Sequence, residues 1–107
     1  MAENMGNQLV GKVFKVLSSP TRIHILRLLK DGPLCVCKII EALGTEQSNT
    51  SQHLSSLKNV GLIQSRKEGL KVIYSIKYSE IFETIDIIEK IILMQTEETQ
   101  KSIKMVI

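Results

Sequence analysis

The 107-residue chain has only two cysteines and two histidines, and both shortages exclude chemistry. Cys35 and Cys37 are too few for a disulfide scaffold. In a reducing compartment they are thiols, metal ligands or small core residues. No thioredoxin-like strand-helix-strand pattern surrounds them, which argues against a thiol-disulfide enzyme, and no other catalytic constellation is present, so an enzyme is not expected. His24 and His53 lie far from the acids Asp86 and Glu89 in the last third of the chain, so a carboxylate-histidine metal centre there has no histidine to use. Those acids read as the solvated side of a helix. The opening MAENMGNQLV lacks a basic segment followed by an apolar run. The greasiest stretch, IDIIEKIILM, is too short and too charged to span a bilayer, so a cytoplasmic protein with no membrane partner is expected. Neither internal repeats nor low-complexity segments occur.

What is present is an ordinary globular balance, 43% apolar and 23% charged, at a length that fits one core. A domain of this size buries only about two-thirds of the surface its unfolded chain exposes, so surplus apolar faces point to a second copy. The net charge of +3 permits a nucleic-acid partner without requiring one.

Leu9, Val10, Val13, Phe14, Val16 and Leu17 recur at helical spacing and predict a first helix over 7–17. In SSPTRIHILRLLKDGP, Ser19 caps, Pro20 suits a first turn, and Gly32 with Pro33 stops a second helix over about 20–30. CKIIEALG predicts a third helix ending at Gly44, and a fourth follows almost at once, over about 47–60. Two helices joined so tightly form a helix-turn-helix candidate. The period then changes to two over 63–67 and 71–76 with Gly69 between, a β-hairpin. Ser79 opens a last helix whose stripe of Ile81, Phe82, Ile85, Ile88, Ile91 and Ile92, widened by Ile87 and Met94, exceeds what one core needs. The domain is read as residues 1–95, and the tail 96–107 is left unassigned. The fold class is mainly α with a small β-hairpin: five helices and a two-stranded wing.

At about 100° per residue the fourth helix gathers Thr50, Leu54 and Leu57 on one face and spreads Ser48, Asn49, Gln52, Ser55, Ser56 and Asn59 over the other. That outer face is almost purely uncharged hydrogen-bonding groups. Stability alone selects Glu and Lys for such positions, because Ser and Asn are mediocre helix formers. A helix entering the major groove selects this set, since Gln and Asn pair with adenine edges and Ser suits base edges or phosphates. A module used only for protein contacts would carry charged or apolar residues there instead. Arg66, Lys67 and Lys71 in the hairpin, against one Glu68, fit a wing lying along the phosphate backbone.

With LSSPTRIHILRLLKDG, LCVCKIIEALG and SNTSQHLSSLKNVGLIQSRKEGLKVIYSI in place, nearly the whole chain resembles the ArsR/SmtB family of winged-helix repressors. The resemblance implies a homodimer built on the first and last helices, a recognition helix at about 47–60, binding to a double-stranded DNA operator, and release by an inducer. His53 matches a family position in that helix, although its place on the flank equally suits a packing histidine.

The LCVC stretch resembles the family's metal box. In an ideal helix residues 35 and 37 diverge by about 200° and cannot grip one ion, whereas in extended backbone they lie on the same side. Gly32 and Pro33 favour an irregular start. If the helix ran back through the pair, Val36, Ile39, Ile40 and Leu43 would be its buried face, with Cys35 at the edge and Cys37 exposed. Cys35 and Cys37 are thus metal-site candidates for As(III), Sb(III), Cd(II) or another soft inducer, with no cofactor needed for folding. The arsenic-responsive members' third cysteine is replaced here by Ile40. A thiol redox switch at the same pair, or plain packing, remains open.

Overall fold

The Oγ of Ser19 accepts from the backbone N–H of Arg22 at 3.4 Å, and Pro20 fills the first helical position, so α2 (Pro20–Leu29) starts where its cap directs. The chain is described here from a computed structural model covering residues 2–106, with side chains for 4–102. α1 (Ala2–Leu17) begins before the apolar pattern does. Then follow β1 (Leu34–Cys35), α3 (Val36–Leu43), α4 (Gln47–Asn59), β2 (Ile63–Glu68), β3 (Lys71–Ile76) and α5 (Glu80–Val106). These are the five helices and the hairpin that the sequence predicts. One strand is additional: β1 pairs antiparallel with β3, Leu34 opposite Tyr74 and Cys35 opposite Ile73, giving the sheet order β1-β3-β2.

Gly44 ends α3 in the left-handed region (φ 65°), donating its N–H to the carbonyl of Ile40 at 2.9 Å. Only two residues then separate Gly44 from α4, which makes the tight turn of the helix-turn-helix. The core joins Ile25, Leu26 and Leu29 of α2 with Ile39 of α3, Leu54 and Leu57 of α4, Leu62, Ile63, and Ile81 and Ile85 of α5. Full burial of each such side chain stabilises by about 1.5–3 kcal/mol, so this cluster fixes how α4 sits on α2 and α3. The sheet's inner face, which carries Ile63, also packs Tyr74 and Ile76 against it.

Among the described side chains of α5, only Ile81 and Ile85, near its start, are buried. Ile87, Ile88, Ile91, Ile92, Leu93 and Met94 are exposed, as are Leu9, Val10 and Phe14 of α1. Between α1, α2 and α5 lies an apolar trough of about 400 Å³ lined by Phe14, Leu17, Ile23, Ile85, Ile88 and Ile92, with the paired Arg27 and Glu89 at its edge. Residues 96–106, which carry no apolar stripe, continue α5 without a break. Thr96 and Thr99 there donate their hydroxyls back to the carbonyls of Ile92 and Gln95, each at 3.0 Å. Among the described residues, no helix is long and apolar enough to cross a membrane.

Candidate nucleic-acid interface and dithiol site

Helix α4 is anchored by what it buries. Thr50, Leu54 and Leu57 are fully buried, and this turns Ser48, Asn49, Gln52 and Ser55 outward, all exposed. Two of the sequence candidates sit lower on the flank: His53 and Ser56 are half-buried. The outward face is therefore narrower than the helical wheel suggests, and its centre is Ser48, Asn49, Gln52 and Ser55. Lys58, which the candidate set omitted, donates from Nζ to Oγ of Ser65 at 2.8 Å and ties the end of α4 to β2. Its signal in the sequence is that it is the one lysine or arginine of the helix.

The hairpin cations do not share one face. Cross-strand register places Arg66 opposite Ile73 and Lys71 opposite Glu68, whereas Lys67 stands opposite Val72 on the face that carries Tyr74 and Ile76. Arg66 also forms an ion pair with Glu68 at 3.0 Å, leaving its charge partly neutralised. Both groups are exposed, so the pair contributes little to stability. Lys67 and Lys71 form no ion pair among the described residues.

His53 is held from behind. Its Nδ1 accepts from Nε of Arg22 at 3.1 Å, which requires a neutral ring with its proton on Nε2. Burial, and secondly the positive charge of Arg22, hold His53 below its ordinary value of 6.5.

The two sulfurs lie together. Cys35 is extended (φ −72°, ψ 156°) and caps α3, its Sγ accepting from the backbone N–H of Lys38 at 3.3 Å, while Cys37 sits in the first helical turn. The helix does not run back through Cys35, so the divergence of an ideal helix does not apply, and the pair is joined as a disulfide with Cα atoms 5.3 Å apart. Cys35 is buried, at 8% exposure, and Cys37 is exposed. The sequence placed Cys35 at the edge of the core for a helix running back through it; its extended backbone and pairing with β3 explain the deeper position. Among the described residues, no group of three or more His, Cys, Asp or Glu side chains gathers around an ion-sized space.

Known proteins share this architecture. The family described as bacterial regulatory protein, arsR family, matches residues 19–65, from the cap of α2 to β2. An HTH-type transcriptional regulator of Methanocaldococcus jannaschii is 40% identical over 81 residues, spanning 75% of this chain and 91% of the relative. A cadmium resistance transcriptional regulatory protein CadC homolog of Staphylococcus aureus is 39% identical over 89 residues, spanning 82% of this chain and 71% of the relative. The solution structure of a homodimeric winged helix-turn-helix DNA-binding domain from Mycobacterium bovis matches with a TM-score of 0.78 at 27% identity, over 90% of this chain and 89% of that one. With its helix-turn-helix, its hairpin wing and these relatives, the chain belongs to the ArsR family and is a winged-helix, DNA-binding transcriptional regulator rather than an enzyme.

Proposed function

We propose that this protein is a cytoplasmic, homodimeric repressor that places α4 in the major groove of an operator and is released when a thiophilic ion occupies Cys35 and Cys37. The observation that carries the reading is the outward face of α4, whose Ser48, Asn49, Gln52 and Ser55 are exposed and uncharged beside a cationic hairpin. Gln52 and Asn49 suit base edges, and His53, Ser55 and Ser56 border the same surface. Arg66, Lys67 and Lys71 supply phosphate contacts from both faces of the wing. The exposed apolar residues of α1 and α5 supply the dimer surface, and the homodimeric relative agrees with a two-copy assembly. Dimerisation sets the spacing of two recognition helices, which turns a helix-turn-helix into an operator reader.

Two thiolates select soft ions such as As(III), Sb(III) or Cd(II), and the cadmium-resistance relative agrees with this class. The Cys35 sulfur already accepts a backbone N–H at the start of α3, a position that favours a thiolate. The chain supplies two thiols only, and among the described residues no third His, Cys, Asp or Glu joins them, so water or an external thiol completes the shell. Cys35 touches the reading surface by two routes: α3 leads into α4 across the Gly44 turn, and β1 is hydrogen-bonded to β3 of the wing. A 100-fold loss of DNA affinity needs about 2.7 kcal/mol of preference for the DNA-free form, within the range of typical coupling.

A second reading, a redox switch, is favoured by the Cys35–Cys37 disulfide itself, since a reduced pair is required for ion binding. The deciding experiment measures binding to the DNA upstream of the chain's own coding region and to random duplex, with and without thiophilic ions, and separately after oxidation. Specific binding lost on adding an ion to the reduced protein supports the first reading; loss on oxidation alone supports the second. Equal affinity for both duplexes under every condition defeats the operator reading.

A further inference from the structure

The recognition helix is fastened to the rest of the protomer by a side-chain relay that ends in α1. Arg22, in the first turn of α2, donates from Nε to Nδ1 of His53 in α4 at 3.1 Å and from Nη1 to the carbonyl of Val16 in the last turn of α1 at 3.2 Å. Among the described residues, the Arg22–His53 contact is the only side-chain hydrogen bond joining α4 to another helix. His53 stands between the exposed Gln52 and the fully buried Leu54, so a change at its ring is felt on the reading face. The contact exists only while Nδ1 is unprotonated. A proton there removes the acceptor and sets a second positive charge against the guanidinium.

Resting on the DNA-binding reading above, we infer that Arg22 is a positioning residue that couples the end of α1 to the recognition helix through neutral His53, and that protonation of His53 releases α4 from its DNA-binding orientation. The depressed titration of His53 agrees with a ring that accepts rather than donates at Nδ1. The other titratable and charged groups on the elements packed against α4 are His24 and Arg27 of α2, Lys38 and Glu41 of α3, and Arg66, Lys67 and Glu68 of β2. None of these, nor Lys58 of α4 itself, bonds the ring, and Arg22 is the one charge that adds to burial in setting its protonation. The sign separates this role from direct contact. A histidine touching phosphate binds DNA more tightly when protonated, whereas a histidine that must accept from Arg22 binds less tightly.

The test uses a duplex selected from random sequence by the full-length wild-type protein at neutral pH, titrated from about pH 5 to pH 8. Wild-type affinity is expected to fall as pH drops below 6.5, the ordinary value for histidine. His53→Asn, whose Oδ1 stands where Nδ1 does and accepts from Arg22 at every pH, shows a flatter profile than wild type. His53→Ala and Arg22→Ala each lose roughly 10- to 100-fold at neutral pH, the range for a charge-assisted hydrogen bond. Affinity that rises toward acid pH, a His53→Asn profile that follows wild type, or a His53→Ala protein that binds as tightly as wild type overturns the inference alone. Failure of the wild type to select any duplex overturns the DNA-binding reading with it. Should Arg22→Ala not fold, the pair His53→Ala and His53→Asn decides by itself.

Discussion

The hydroxyls of Thr45 and Thr50 meet at 2.8 Å across the turn between α3 and α4. Thr50 is fully buried and is the one buried polar side chain among the described residues. Its backbone N–H donates to the carbonyl of Glu46 at 3.1 Å, so the residue closes the first turn of α4 by both backbone and side chain. Thr50→Val keeps the shape but leaves the half-buried Thr45 hydroxyl without its partner. A loss of about 1–2 kcal/mol in unfolding free energy is expected, measured by denaturant at fixed protein concentration. An unchanged or raised stability contradicts a structural role for the pair.

On the proposed reading, Gln52 and Lys71 make different kinds of contact with DNA. Gln52 is exposed at the centre of the α4 face, and Lys71, exposed at the start of β3, forms no ion pair among the described residues. Gln52→Ala should cost about 1–3 kcal/mol on the specific duplex and almost nothing on random sequence. Lys71→Ala should weaken both alike and lower the slope of log affinity against log salt by about one. Equal effects of the two substitutions on both duplexes mean that the faces are misassigned.

The division between buried and outward residues on α4 was legible because Thr50, Leu54 and Leu57 follow the helical period, and the structure buries all three. The hairpin was legible for the same reason at period two. β1 was not, because two residues carry no periodicity and its pairing with β3 is set by tertiary contact. The last turns of α5 were not legible either: residues 95–102 have helix-compatible polar side chains but no stripe, and an apolar stripe was the signal in use. The adjacency of the two sulfurs depended on where α3 begins, a one-residue question that sequence leaves open. The bond between Arg22 and His53 spans 31 positions, and no local pattern announces it.

Quaternary structure should respond to α5. Ile91 is 49% exposed within one protomer, on a face that continues the buried Ile81 and Ile85. Ile91→Glu should shift sedimentation at micromolar concentration from dimer toward monomer, because a charge placed in an apolar interface must be desolvated without a partner. A wild-type protein that sediments as a folded monomer at that concentration removes the basis for this expectation.

Protein stability should carry the imprint of His53 with a definite sign. Burial and Arg22 place its folded value below 6.5, so the unfolded chain takes up the proton more readily than the folded one. The contribution of the neutral ring is therefore fully present above 6.5 and is lost progressively as pH falls below that value toward the folded one. Denaturant unfolding of wild type and His53→Asn across this window should show a steeper acid decline for wild type. Parallel curves rule out a differential proton uptake at this residue.

The cysteine pair separates sensing from binding. Neither sulfur lies on the outward face of α4, and only Cys35 is buried, at the margin of the core. Cys35→Ser and Cys37→Ser are each expected to leave the dimer and its affinity for DNA nearly unchanged, the former with a small loss of stability because a hydroxyl replaces a buried sulfur. Only the response should disappear. Under thiol-free conditions, the reduced wild type and both variants are titrated with As(III), Sb(III), Cd(II) and Zn(II), and separately with a disulfide-forming oxidant, while DNA binding is followed. An ion that needs both thiolates releases the wild type and neither variant, since one remaining sulfur cannot supply the bidentate grip. A redox switch gives the same pattern with oxidant in place of ion, because a single thiol cannot close the Cys35–Cys37 bond. The route to DNA can then be split: Gly44→Ala strains the left-handed turn between α3 and α4 while leaving the β1–β3 pairing in place. If the response survives in a folded Gly44→Ala protein, the wing strand carries it; if the response is lost while DNA binding is kept, the helix-turn-helix carries it. Serine variants that respond as wild type does, or a wild type on which no agent acts, reduce the pair to a structural staple between β1 and α3.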